Sequence, residues 1–246
     1  MKRWQFKRAT GIFIYGNYAR QLMIEQGFSG DKIFTIHNSL HYDIQKNIRE
    51  SIVPSDLYCK HFCNDYHTLI FIGRLTKVKK LDLLVEALDE LNARGEKYNL
   101  VFVGNGSEKY SLEKKVEVLR LSDNVWFYGE CYDERQNAEL LYNADLCIAP
   151  GNIGLTAIHA LVFGCPCISH NNFKLQMPEF EVIRQGKTGD FFEIDSVKSL
   201  ADSISKWFKE NSDKRDEVRY TCFKEIDTQW NPHFQIEVLK KNLKFK

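Results

Sequence analysis

From residue 68 onward, short unbroken apolar runs alternate with segments whose apolar residues recur every three or four positions. The runs are TLIFIG at 68–73, NLVFVG at 99–104, VWFYGE at 125–130, LCIAP at 146–150 and CPCIS at 165–169. Runs of this kind fit strands buried on both faces, because a strand with one wet face would alternate apolar and polar positions. The segments between them predict helices over Lys79 to Arg94, Ser107 to Leu121, Glu134 to Asn143 and the stretch after Gly154, with another near Glu179 to Gln185. Strands and helices in strict alternation build a parallel sheet covered on both faces, so the pattern predicts an α/β fold with a Rossmann-like, doubly wound sheet.

The first 40 residues carry a smaller copy of the pattern: strand GIFIYG, helix Tyr18 to Gln26 and strand KIFTIHN. Its apolar positions Ile12, Ile14, Ile33 and Ile36 are expected to stay exposed or to drive self-association. Residues 41–67 have mixed charge, one proline and no clear period, and read as a loop-like linker. From Ser196 on, three helices are predicted, with Trp207, Phe208, Trp230 and Phe234 as packing anchors. The expected divisions are therefore 1–40, a linker at 41–67, a main domain at 68–225 and a C-terminal helix at 226–246.

Composition narrows the partners. Hydrophobic residues make up 43% of 246, enough for a sizeable core, and 34 basic against 33 acidic side chains leave a formal charge of +1. No global field draws nucleic acid or an acidic membrane to the chain, so any anion must be bound locally. Seven scattered cysteines do not form a disulfide framework. Cys59 and Cys63, near His61 and His67, read as free thiols in a connecting segment rather than metal ligands, and Cys165 and Cys167 as small core residues. Reduced cysteines point to the cytoplasm. The basic-then-apolar start, MKRWQFKRATGIFIYG, is too short and interrupted for a signal peptide or a span.

Parallel sheets bind ligands at the carboxyl ends of their strands, and the unusual residues collect there. After the first run comes GRLTKVKK, in which Arg74 at the strand end and Lys79 at the next helix offer two cations for one anion. The alternative is a solvated basic turn. After LCIAP comes GNIGLTAIHA, whose glycines permit close backbone approach and whose helix start presents free N–H groups. It matches neither the G-x-G-x-x-G nor the G-x-x-x-x-G-K-[ST] pattern. The GNG at 104–106 reads first as a tight turn. No D-x-D pair or G-x-S-x-G elbow occurs, so neither a carboxylate-held divalent metal nor a serine nucleophile is supported. His159 lies within reach of the ligand-facing helix end, or is a packed core histidine.

The segments FIGRLTKVKKLDLLVEAL, LVFVGNGSE, VWFYGECYD, YNADLCIAP and GLTAIHALVFGCPCISHNNFKLQMPEF, in this order and spacing, resemble the nucleotide-sugar-binding half of glycosyltransferase family 4. The earlier ARQLMIEQGFSGDKIFTIHNSLHYD is similar to the end of that family's first domain, so residues 1–40 resemble a remnant of the acceptor-side domain. The resemblance implies the two-domain GT-B architecture. It also implies transfer of a sugar, with retention of configuration, from a nucleotide-diphosphate sugar to a saccharide or lipid-linked acceptor in cell-surface polysaccharide synthesis. No cofactor or metal is required, and membrane contact at the inner surface is at most peripheral. Arg74 and Lys79 match the pair on the donor diphosphate, and Gly154, Leu155 and Thr156 the loop over the phosphates. Asn105 and Tyr132 fall in loops lining the nucleoside.

The family places two glutamates around this loop, one near the transferred sugar and one on the ribose. Here those positions are Gly151 and His159, with Asn152 as a neutral substitute beside the sugar and His159 on the ribose hydroxyls. Most of a first domain is absent from the sequence read, so the resemblance implies a truncated product, a separate N-terminal domain chain, or self-association. Two other readings stay open: a non-catalytic nucleotide-sugar-binding remnant, and a nucleotide-sugar epimerase of the same plan.

Overall fold

The computed structural model of the chain describes residues 5–6 and 8–243. It begins with two short parallel strands, β1 (Ile12–Ile14) and β2 (Ile33–Thr35), joined through helix α1 (Asn17–Glu25). Ile12 and Ile33 are buried and Ile14 and Ile36 half-buried, so the expected open apolar face is largely covered. Residues 41–67 hold two helices, α2 (Tyr42–Ser51) and α3 (Leu57–Phe62), where the sequence reads as loop. The inward face of α2 is polar: Tyr42, Gln45 and Arg49 are its buried residues, and Arg49 pairs with Asp227 at 2.9 Å. An apolar period therefore does not mark it.

The main unit then follows as β3 (His67–Ile72), α4 (Leu81–Ala93), β4 (Tyr98–Val103), α5 (Lys109–Val118), β5 (Val125–Gly129), α6 (Glu134–Asn143), β6 (Leu146–Ala149), α7 (Thr156–Val162), β7 (Cys167–His170) and β8 (Gly189–Phe192). The six strands form one parallel sheet in the order β5-β4-β3-β6-β7-β8. Every residue of β4 and β6 is buried, as expected of strands with helices on both faces. In α4, Leu81, Leu84, Val85, Leu88 and Leu91 recur at helical spacing and pack against α8 (Val197–Asn211), which buries Leu200, Ile204, Trp207 and Phe208. Two further helices, α9 (Arg215–Gln229) and α10 (Pro232–Asn242), complete the three predicted after Ser196, and α10 reaches back to β2.

The helix expected over Glu179 to Gln185 is a 3-10 turn at Pro178–Val182. The chain cannot continue as a helix because the Arg184 amide donates to Thr188 Oγ1 at 2.7 Å and Gly186 turns it with φ of 72°. That turn delivers β8, a strand the apolar pattern does not announce because it contains Asp190, buried and paired with Lys206 at 3.1 Å.

Candidate functional site

β3 lies in the middle of the sheet. The chain lays β4 and β5 on one side of it and then crosses to β6, β7 and β8 on the other. At such a switch the loops leaving neighbouring strands part and open a crevice at the carboxyl edge. A cavity of about 700 Å³ opens there. Its walls are Gly73 and Arg74 after β3, Gly104, Asn105 and Gly106 after β4, and Glu130, Cys131 and Tyr132 after β5. Asn137 of α6, Leu155, Thr156 and His159 at α7, and Leu40 close it.

The glycines set the shape of the wall. A Cβ on Gly104 would stand 2.0 Å from the Gly73 carbonyl oxygen, and one on Gly106 2.2 Å from that of Leu75. The GNG is thus a close-approach turn that clamps two loops together, and the Leu75 amide donates to the Asn105 carbonyl at 2.9 Å. The Asn105 side chain is spent on the same turn, accepting from the Gly106 amide at 2.8 Å.

Arg74 is exposed on the cavity wall, and its guanidinium has no hydrogen bond or ion pair among the described residues. Lys79 ends a 3-10 turn at Lys77–Lys79, two residues before α4 begins at Leu81 rather than opening that helix, and does not line the cavity. Its Nζ donates to the Asn152 carbonyl at 2.6 Å, and burial together with neighbouring Arg74 lowers its pKa. It therefore ties GRLTKVKK to GNIGLT. Leu155 and Thr156 line the cavity, and the Thr156 hydroxyl donates to the Ile72 carbonyl at 3.0 Å, fixing α7 against the end of β3. Gly154 supplies the left-handed turn before α7, with φ of 53°. Tyr132 is 88% exposed at the rim.

Gly151, Gly154 and Asn152 stand outside the cavity lining. A Cβ on Gly151 would lie 2.0 Å from the Val78 carbonyl oxygen, so the loop backbone occupies the place of a side chain. Asn152 turns its amide to the Leu175 carbonyl at 3.3 Å.

His159 lines the cavity, and its Nε2 lies 3.1 Å from Glu134 Oε1. No motif in the sequence marks Glu134. It also accepts from Gln45 Nε2 at 2.6 Å. Burial works to raise its pKa, but the bond from His159, the charge that imidazole carries when protonated, and the bond from Gln45 outweigh this and lower it. Asn137, one turn further along α6, donates to the Cys131 carbonyl at 3.2 Å, and its Oδ1 is buried without a partner. Nothing in the linear sequence links Gln45, Glu134 and His159, since they come from three helices. Among the described residues no three His, Cys, Asp or Glu side chains gather as a metal site, and no helix is long and apolar enough to cross a membrane.

The family model for glycosyl transferases group 1 matches residues 60–224, about two thirds of the sequence, and the chain belongs to that family. A relative encoded in the cps region of Klebsiella pneumoniae, an uncharacterized 41.2 kDa protein, is 24% identical over 209 residues, covering 80% of this chain and 52% of its own. N-acetyl-alpha-D-glucosaminyl L-malate synthase of Bacillus anthracis is 29% identical over 145 residues, 58% of this chain and 36% of its own. The chain thus spans about half or less of the length of these relatives. A Rickettsia africae glycosyltransferase superposes with a TM-score of 0.75 at 19% identity, over 96% of this chain and 64% of that one. Anabaena HepE in complex with UDP gives 0.71 at 16%, over 95% and 62%. These likenesses confirm the Rossmann-like sheet of a GT-B glycosyltransferase.

Proposed function

We propose that this member of the glycosyl transferases group 1 binds a nucleotide-diphosphate sugar in the cavity at the strand switch and serves as the donor side of a retaining sugar transfer. The observation that carries the reading is Arg74, whose guanidinium stands on the wall of that cavity without a partner among the described residues. An unpaired guanidinium offers two parallel N–H groups to phosphate oxygens and stabilises the charge that develops as the diphosphate departs. Lys79 acts from behind the loop, holding GNIGLT in register while adding positive charge. The nucleoside lies along Asn105, Tyr132 and His159. In the retaining reaction the anomeric carbon–phosphate oxygen bond breaks, the acceptor oxygen bonds to the same face, and its proton passes to the leaving phosphate. No metal or side-chain base enters that balance. The acceptor is a saccharide or a lipid-linked saccharide of cell-surface polysaccharide, met in the cytoplasm or at the inner membrane surface.

A second reading, nucleotide-sugar binding without transfer, is favoured by Gly151, where a side chain has no room beside the Val78 carbonyl. Calorimetry with UDP, GDP and ADP tests the binding. Arg74→Ala should weaken the tightest of them roughly ten- to a hundredfold, the range of charge-assisted hydrogen bonds. Unchanged affinity in that variant removes Arg74 from the site. Incubation with a radiolabelled nucleotide sugar then separates the activities: labelled acceptor means transfer, unchanged donor means binding alone, and an isomerised donor means an epimerase.

A further inference from the structure

The His159 ring makes one polar contact among the described residues, through Nε2 to Glu134. Its Nδ1 has no partner among the described residues and is not among the polar atoms sealed from solvent, while the ring itself lines the cavity. Glu134 sits in the first turn of α6, where the helix dipole favours a negative charge. Its Oε1 is already engaged by Gln45 of α2, and an ionised carboxylate oxygen can only accept. The proton in the 3.1 Å contact must therefore ride on His159 Nε2. In a neutral imidazole that leaves Nδ1 as a bare lone pair.

We propose that Glu134 is a positioning residue for nucleoside recognition: it fixes His159 as the Nε2–H tautomer, so that Nδ1 accepts a hydrogen bond from a ribose hydroxyl. Gln45, in turn, holds Glu134 from α2. The cavity wall thus replaces one carboxylate with a two-residue device, an acceptor nitrogen oriented by a carboxylate behind it. This deepens the nucleotide-sugar reading and rests on it for the identity of the ligand. Without the carboxylate the ring would populate both tautomers, and one of them presents an N–H that can only compete for an acceptor.

Two measurements test it, and only one needs a ligand. A long-range proton–nitrogen correlation spectrum of the nitrogen-15-labelled chain, with His159 assigned by its loss in His159→Gln, reads the tautomer directly. It should show a protonated Nε2 and a bare Nδ1 in the native chain, and a mixture in Glu134→Ala. A native Nδ1–H tautomer, or no change in Glu134→Ala, overturns the proposal. Calorimetry then compares UDP with its 2′-deoxy and 3′-deoxy analogues, or the GDP or ADP set if that base binds tighter. Glu134→Ala should lose about tenfold for the ribonucleotide, one hydrogen bond, and little for the analogue lacking the contacted hydroxyl. Glu134→Gln, whose carbonyl oxygen still accepts from Nε2, should recover most of the loss. Equal losses for ribo- and both deoxy-nucleotides would assign Glu134 a structural role only. A native chain that binds no nucleoside diphosphate refutes the nucleotide reading while the tautomer result stands on its own.

Discussion

Among single residues, His37 shows how burial becomes a dependence on pH. It adopts a left-handed backbone (φ of 52°), packs tilted against Trp230 with ring centroids 4.2 Å apart and is 3% exposed. Burial, aided by the nearby Arg184 charge, pushes its pKa down to about 4 from an ordinary 6.5. Between those values the unfolded chain binds a proton that the folded chain refuses, so stability falls as the pH drops from 6.5 toward 4. The full loss is about 3 kcal/mol for this difference. His37→Asn, which tolerates the same backbone conformation, should flatten the slope of melting temperature against pH in that window. An unchanged slope would place the titration elsewhere. At this scale the sequence was legible for position, as with Arg74 at the end of β3 on the cavity wall, and silent where partners converge. Gly151 is visible in the sequence as a departure from the family's carboxylate, but its cause, the Val78 carbonyl in the place of a Cβ, exists only in the folded loop. Glu134 carries no local mark, because its meaning comes from His159 and Gln45 on other helices.

The elements legible in the sequence are those whose burial is apolar and continuous. β3, β4 and β6 appear as unbroken runs because both faces are covered, and α4 because one face alone is leucine-rich. α2 and β8 escaped because they are anchored by buried polar groups, Arg49 to Asp227 and Asp190 to Lys206. The same polar logic fastens α9 to the sheet. Arg215 of α9 donates to the last carbonyls of α6, to Asn143 at 2.7 Å and Ala144 at 3.1 Å, and pairs with Asp145 at the entry to β6. Asp145 also accepts from the Thr68 amide at 2.7 Å. Burial alone would raise the Asp145 pKa, but His67, Arg215 and the Thr68 amide together hold it below the usual value of 3.8. Its contribution is therefore complete above that value and is lost as the pH falls through the lower, folded one. Asp145→Asn should cost about 1.5 to 3 kcal/mol at neutral pH, the range for a hydrogen bond to a charged group. In urea unfolding the difference from the native chain should shrink below pH 3.8, and a gap that persisted there would show that the charge is not what matters.

Across the whole molecule, the sequence conveyed two units of strand-and-helix pattern but not how they are joined, since each fastening spans more than a hundred residues. The β1–α1–β2 unit has no buried residue on α1, and Tyr15 and Ile24 face solvent at its surface. It is held to the main unit by the ring of Tyr18, set edge-on against Phe173 at 6.3 Å and Phe180 at 5.9 Å, and at a few polar points. Glu181 accepts from the α1 amides of Asn17 at 2.8 Å and Tyr18 at 2.6 Å, Asn38 donates to Glu179 at 2.8 Å, and Gln235 of α10 donates to the His37 carbonyl at 2.7 Å. Glu181 thus caps a helix in the other unit, satisfying orphan N–H groups and placing a negative charge at the positive end of the dipole. Gly16 makes room for it, because a Cβ there would fall 2.7 Å from Glu181 Oε1. A cap of this kind is worth about 1 kcal/mol, small against a domain's stability but large for a unit whose helix has no fully buried residue. Glu181→Ala should therefore speed hydrogen exchange at residues 12–35 several-fold while leaving the amides of β3, β4 and β6 at their native rates. Gly16→Ala, which displaces the carboxylate without removing it, should do the same. If exchange rises equally in the central strands, or the melting temperature falls as one transition by more than a cap can explain, the two units unfold together and Glu181 belongs to a single cooperative core.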